Sequence, residues 1–373
     1  MRILYVTDAL AVWGGIERVI SDKLNYLVQH YGYEIYVLTA DQGNHPIPFP
    51  LDDRIIIKDF NIRFHQQYHF RGIKRLIKHC QLEIHFRGLL SDYIKSINPD
   101  IISCIRDGYV CTLLDVKGSI PTIFESHAMY KDVYFEKSTL LHLFMSYIKR
   151  KRYKGLDKIV TLTQGDADDW SRVCKNTCVI PNVVHLNVSG IYSTCDNLKC
   201  IFAGRFDNQK NVGALIRIWD LVQRRYPNWT LDIYGNGHLK TYYEKIVLEK
   251  KLNIMIHPAV SDIFEKFKES SMLLMTSLYE PFGLVLVEAM SCGIPVIAFD
   301  CPYGPSDIIQ NDKNGYLVEN GNVEAFAERV CQLIENKNLR LKMGQFGVLS
   351  AQKYRADMIM YKWKQLFEEL VHK

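Results

Sequence analysis

With 373 residues, a net charge of +5, 48% hydrophobic and 23% charged residues, the chain has the balance of folded globular domains. That excludes a disordered segment, and the length predicts two domains, each with its own core. No apolar run approaches the roughly 20 residues needed to span a bilayer, and Met1-Arg-Ile-Leu-Tyr-Val-Thr-Asp reads as a strand rather than a signal peptide.

Strand-like apolar runs alternate with helical stretches along the chain, the pattern of parallel sheets wound with helices. The first half offers Ile3–Val6, Glu34–Thr39, Ile55–Asp59, Ile101–Cys104, Thr122–Glu125 and Ile159–Leu162. The second offers Lys199–Ala203, Thr230–Tyr234, Ile254–His257, Met272–Thr276 and Pro295–Phe299. Pro181–Asn197 is polar and turn-rich and reads as the interdomain connection. Each half opens with a strand, a Gly-containing loop and a helix: Arg2–Thr7 leads to Gly14-Gly15, and Lys199–Ala203 to Gly204-Arg205. The expected fold is α/β, with two Rossmann-like parallel-sheet domains facing each other across a cleft. Their bounds are 1–185 and 186–350. The closing stretch 351–373 carries Tyr354, Met358, Tyr361, Phe367 and Leu370 in a helical pattern. It either crosses back to cap the first domain or ends its own.

Ten cysteines are scattered singly, several inside apolar runs (Cys104, Cys200, Cys292, Cys331), with no C-x-x-C pair. They read as reduced core thiols of a cytoplasmic protein, not as disulfides or zinc ligands. The charge is uneven. Lys58 to Lys95 holds eight Lys and Arg against Asp59, Glu83 and Asp92, and Lys149-Arg-Lys-Arg152 with Lys154 forms a second cluster. Aromatic residues interleave both clusters. They are either solvated helix faces or a surface for an anionic membrane or an anionic acceptor. Nucleic acid is not expected as a partner.

The most informative run is Glu280-Pro-Phe-Gly-Leu-Val-Leu-Val-Glu288. It follows an apolar strand and opens a helix-like stretch, so Glu280 falls in the loop at the strand's carboxyl edge. Open α/β sheets bind ligands there, because helix N-termini present unpaired N–H groups to anions. One carboxylate at the mouth and another about two turns on could grip hydroxyls on either side of a bound phosphate, the layout of a sugar nucleotide. On spacing alone, a surface Glu and a helix-solvating Glu fit equally. Gly204-Arg205-Phe-Asp-Asn-Gln-Lys210 follows the first strand of the second half, and its two cations beside a helix start would clamp a pyrophosphate. Tyr234-Gly235-Asn-Gly237 is either a tight turn or a close-approach site for a ligand. Gly14-Gly15 lacks the third Gly of a dinucleotide fingerprint, so NAD is not expected. His127, after the strand ending at Glu125, sits at the expected cleft edge. No His or carboxylate cluster has metal-ligand spacing, and there is no nucleophile elbow or P-loop.

In this order, these elements resemble the retaining nucleotide-sugar glycosyltransferases of GT-B fold, specifically their large fourth family. The resemblance covers the whole chain, loosely in the first half and closely from Phe202 to Val318. It rests on Ala203-Gly204-Arg205 with Lys210, on Tyr234-Gly-Asn-Gly237, on Ser277 through Val296 and on Asn314-Gly-Tyr-Leu-Val318. It implies that Arg205 and Lys210 bind the donor diphosphate, beside the turn at Gly204. Amides of Phe282, Gly283 and Leu284 would touch the donor sugar and phosphate. Glu280 would lie near the ring hydroxyls, and Glu288 would take both ribose hydroxyls. His127 would face the donor, Gly15 would shape the reaction centre from the acceptor side, Gly235 would line the donor, and Pro258-Ala-Val260 would meet the base. The first domain would then take the acceptor and the second the donor. No cofactor or metal is implied beyond a UDP-sugar donor and a glycan or lipid-linked acceptor, at the cytoplasmic face of the inner membrane or free in the cytoplasm. Two departures stand out. Pro181-Asn-Val-Val-His replaces the frequent Pro-Asn-Gly-Val-Asp, and Cys301-Pro-Tyr-Gly-Pro-Ser-Asp307 resembles a subgroup that builds bacterial surface polysaccharides. A GT-B epimerase or phosphorylase would use the same groups, and a basic membrane- or polymer-binding module is the non-enzymatic alternative.

Overall fold

The computed structural model describes residues 1–130 and 140–372. The chain divides into two units: Met1–Val183 with Ala356–Lys373, and Val184–Arg355.

The first unit is built on seven parallel strands: β1 (Arg2–Thr7), β2 (Glu34–Thr39), β3 (Ile56–Asp59), β4 (Ile101–Cys104), β5 (Thr122–Glu125), β6 (Lys158–Thr161) and β7 (Thr177–Val179), in the order β3-β2-β1-β4-β5-β6-β7. The second has six: β8 (Lys199–Ala203), β9 (Thr230–Tyr234), β10 (Ile254–His257), β11 (Met272–Met275), β12 (Val296–Asp300) and β13 (Gly315–Glu319), in the order β10-β9-β8-β11-β12-β13. All their pairings are parallel. Each unit is thus a Rossmann-like α/β domain, and strand order reverses beside β1 in one sheet and beside β8 in the other.

The strands are near-continuous apolar runs because both faces are covered. In β1 the two-residue period sorts neighbours onto opposite faces. Leu4 and Val6 join a cluster with Leu82, Phe86, Leu90 and Ile94 of the helix Gly72–Ile97. Ile3 and Tyr5 join another with Ile20, Leu24 and Leu27 of the helix Gly15–Tyr31. The terminal helix, Ala356–Val371, packs on this second face. Its buried residues are Ile359, Met360, Trp363, Leu366, Phe367 and Leu370, whereas Met358 and Tyr361 point outward at 53% and 56% exposure. Of the apolar positions that mark this stretch as helical, Tyr354, Phe367 and Leu370 are buried and these two are not.

Sequence reading missed β7 and β13. The first is only three residues long and none of it is fully buried. The second begins on Gly315 and sits at the sheet edge beside β12. The connection at 184–197 forms neither helix nor strand, and it is fastened along the second unit. There Asn187 N donates to Ser291 Oγ (3.0 Å), Ser193 Oγ to the Ser270 carbonyl (2.6 Å) and Asn197 Nδ2 to the Glu269 carbonyl (2.8 Å). No helix among the described residues is long and apolar enough to cross a membrane.

Trp363 is 5% exposed and lies over the Lys23 ammonium, 4.1 Å from ring centroid to Nζ. Trp363→Ala removes both the packing and the cation–π contact. It is expected to cost about 3–5 kcal/mol, read as a lowered urea midpoint for the unit that holds it.

Candidate functional site

In the second unit the loops after β8 and β11 leave the carboxyl edge at the point where strand order reverses, and both carry the chemistry. The β8 loop ends at Asn211, whose left-handed backbone (φ 49°) caps the helix Val212–Arg225. Thr276 Oγ1, just past β11, donates to the carbonyls of Lys210 (3.1 Å) and Asn211 (3.2 Å), and Leu278 N donates to the Gln209 carbonyl (2.8 Å). These cross-loop bonds place Lys210 Nζ in direct contact with Glu280 Oε2. Ser277 Oγ donates to the same oxygen at 3.2 Å. The two charged side chains are only 14% and 11% exposed. A lysine ammonium has three donors, and the carboxylate engages one of them.

Backbone crossings hold the cradle. Glu280 N donates to the Pro302 carbonyl (2.6 Å), and Tyr303 N and Gly304 N return to the Glu280 carbonyl (3.0 and 2.8 Å). Gly283, at φ +100°, caps the helix Leu284–Ser291, and the amides of Phe282, Gly283 and Leu284 form its opening turn. Glu288 lies on that helix and is 8% exposed. A Cβ on Gly235 would stand 1.9 Å from the Gly204 carbonyl oxygen, so the β8 and β9 loops approach each other at a spacing that no side chain tolerates.

The remaining positions are looser. Arg205 is 67% exposed; its Nε donates to Asp207 Oδ2 (2.9 Å) and its Nη2 to Gln209 Oε1 (3.1 Å). It therefore stands apart from the Lys210–Glu280 pair, while Asp207 also accepts from Lys210 N at 3.0 Å. Val260 is 39% exposed in the loop after β10. Sequence reasoning missed Ser277, Asp207 and the Tyr303–Gly304 bridge. Ser277 was in view inside the motif, three residues before Glu280, but that spacing alone does not reveal a shared oxygen.

In the first unit, Gly15 opens the helix after β1, and beside it Trp13 is 79% exposed, with Phe49 edge-on at 5.0 Å. His127 follows β5, its side chain only 7% exposed, with Nε2 3.3 Å from Glu125 Oε2. Glu125 also accepts from Ser103 Oγ (2.6 Å) and contacts Lys23 Nζ, both charges fully inside the protein. Lys23, Glu125 and His127, with Asn182 and Trp363, line a small hollow. Burial pushes the Glu125 acid up, but the Lys23 ammonium and His127 outweigh it and bring it down to about 2. Burial draws the Lys23 ammonium down against the pull of Glu125. The sequence held the signal for Lys23: it is four residues from both Val19 and Leu27, in the middle of an apolar helix face.

Twin parallel-sheet domains, with a lysine–carboxylate cradle and a glycine-opened helix at the switch point of the second, define the GT-B class of α/β enzymes. Comparisons agree. The family model described as Glycosyl transferases group 1 matches residues 194–348, and that described as Glycosyltransferase Family 4 matches 13–188. The amylovoran biosynthesis glycosyltransferase AmsD of Erwinia amylovora is 27% identical over 98% of this chain and 99% of its own length. An uncharacterized glycosyltransferase of Haemophilus influenzae is 26% identical over 94% and 95%. The structure of S. aureus TarM with fondaparinux, α-GlcNAc-glycerol and UDP superposes with a TM-score of 0.78 at 18% identity, covering 98% of this chain and 99% of that one. The chain belongs to the group 1 glycosyltransferases of GT-B fold.

Because the Glu125 acid is lowered, its stabilisation is complete above its unfolded value near 4.5 and drains away as pH falls toward about 2. Glu125→Gln strands Lys23 as a buried unpaired charge. It is expected to cost about 3–5 kcal/mol at pH 7 and to lack the wild-type acid limb, measured by urea titrations repeated from pH 7 to acid.

Proposed function

We propose that this glycosyltransferase moves a hexose (galactose, glucose, N-acetylglucosamine or N-acetylgalactosamine) from a UDP-sugar to a glycan or lipid-linked acceptor. The transfer retains anomeric configuration and serves surface polysaccharide biosynthesis in the cytoplasm. The observation that carries the reading is the Lys210–Glu280 contact at the switch point, facing the turn opened by Gly283. The naming of AmsD for amylovoran biosynthesis and the UDP in the TarM complex support the substrate class. All ten cysteines are free thiols, which suits a reducing compartment.

In this reading, breaking the glycosyl–phosphate bond builds negative charge on the β-phosphate and positive charge on the anomeric carbon. Lys210, Arg205 and the amides of Phe282, Gly283 and Leu284 stabilise the phosphate without reorganising, commonly the largest catalytic term. Arg205 is exposed and tied only to neighbours in its own loop, so it can swing onto the diphosphate. Glu280 orients the lysine and offers its second oxygen to the sugar hydroxyls, and Glu288 holds the ribose. Gly204 and Gly235 let the backbone approach the donor, and Val260 lies against the base. His127 meets the sugar, and Gly15 leaves room for the acceptor. The leaving phosphate takes the acceptor proton as attack comes from the same face, with no metal and no covalent carboxylate required.

Lys210→Ala and Arg205→Ala are each expected to lower turnover by about 10²–10³. Glu288→Ala chiefly raises the donor KM. Steady-state transfer assays over a panel of UDP-hexoses, with and without acceptor, provide the test. Normal transfer by both cation variants would sink the assignment, and acceptor-independent isomerisation of the UDP-sugar, or sugar transfer to phosphate, would replace transfer with epimerisation or phosphorolysis.

A further inference from the structure

The leading half of the helix Gly72–Ile97 stands clear of the core. Its buried residues begin at Leu82, and before that point none is inside. Yet Ile73, Leu76, Ile77 and Ile84 are 77%, 61%, 53% and 71% exposed. At 100° per residue these four fall within one stripe of the helix surface. Tyr68 and Phe70, just before the helix, add 65% and 42% exposure. An apolar stripe this continuous on a helix end is not solvated scatter.

Charge flanks the stripe. From Phe60 to Leu82 the chain carries Arg63, Arg71, Lys74, Arg75 and Lys78 and no carboxylate. Arg71, Lys74 and Arg75 crowd the helix N-terminus, where the macrodipole disfavours cations and the first turn holds no acid. Arg75 lies over the Tyr68 ring at 4.4 Å. The second basic cluster adjoins: Arg87 of this helix and Arg152 both pair with Asp115, the former at 2.7 Å, and Lys151 and Lys154 beyond are exposed. A hydrated anionic polymer would satisfy the cations and leave the aliphatic side chains in water. An anionic bilayer satisfies both, taking aliphatics below the headgroups and cations among them.

We propose that this face docks the first unit on an anionic lipid bilayer, with residues 72–84 lying in the interfacial plane and Ile73, Leu76 and Ile77 entering the headgroup–acyl boundary. The inference rests on this surface alone and stands whatever the donor sugar is.

The test is flotation of the full chain with vesicles of phosphatidylcholine alone or mixed with phosphatidylglycerol. The expected result is binding to the mixed vesicles only, weakened by salt. Ile73→Ser/Leu76→Ser/Ile77→Ser lowers the bound fraction by about tenfold or more while the thermal transition stays in place, because those side chains touch water in the fold. Should that triple variant melt early, Ile73→Ser alone carries the comparison. Equal binding to both vesicle types, no binding, or wild-type binding by the serine variants overturns the proposal. So does competition by dextran sulfate that the serine substitutions leave untouched, which would assign the face to a soluble polyanion.

Discussion

Everything at the candidate site depends on keeping a lysine and a carboxylate together out of water. Lys210 and Glu280 are mostly shielded side chains from loops seventy positions apart. Breaking such a pair is costly, yet a well-packed hydrophobic replacement often stabilises as much or more. Stability alone therefore does not account for it. What the pair supplies is an ammonium of fixed position beside the start of a helix that Gly283 caps. The glycines at 235 and 283 serve this placement: one allows two loops to touch, the other turns the chain so that the helix begins at the mouth. Packing is spent on electrostatic preorganisation.

The first unit contains a second buried pair, Lys23 with Glu125, built differently. Here the lysine comes from the middle of a helix rather than from a loop, and an indole closes over it. The acid is drawn down by its cation rather than left to burial, so it accepts hydrogen bonds from Ser103 and faces His127 as an anion. A carboxylate of that kind favours a proton on the histidine nitrogen it faces. The two pairs share a logic, a desolvated charge fixed by its opposite, but one faces a glycine-opened turn and the other orients an imidazole.

Much of this was legible in the chain. Apolar runs with parallel-sheet character located eleven of the strands, and the block from Glu280 to Glu288, with Gly204, Arg205 and Lys210, marked the carboxyl edge that carries the site. Legibility ended where a contact depended on three-dimensional neighbours. Ser277 and Asp207 are ordinary polar residues until the loops meet, and Arg205, equal to Lys210 on the page, proves solvent-facing while Lys210 is enclosed. Helix facing was the other limit. The pattern identifies the terminal helix, but which of its apolar residues turn inward depends on the sheet beneath. Met358 and Tyr361 face outward, while Phe367 and Leu370 are buried. Lys23 sits in an apolar helix stripe, which marks it as enclosed, but its partner Glu125 lies about a hundred positions away and no local spacing joins the two.

The exposed stripe of the helix Gly72–Ile97 shows the converse. Its charge excess was plain from the sequence, but the same residues fit a solvated face, a polymer or a bilayer. Only the position of the core decides among them. Had Ile73, Leu76 and Ile77 turned inward, the cations would simply solvate a helix. Because burial begins at Leu82, the aliphatic face is left without a partner among the described residues, and its cations oppose the helix's own dipole. Both departures weaken the isolated domain, and both are relieved by one kind of surroundings, a negatively charged interface with an apolar layer beneath it.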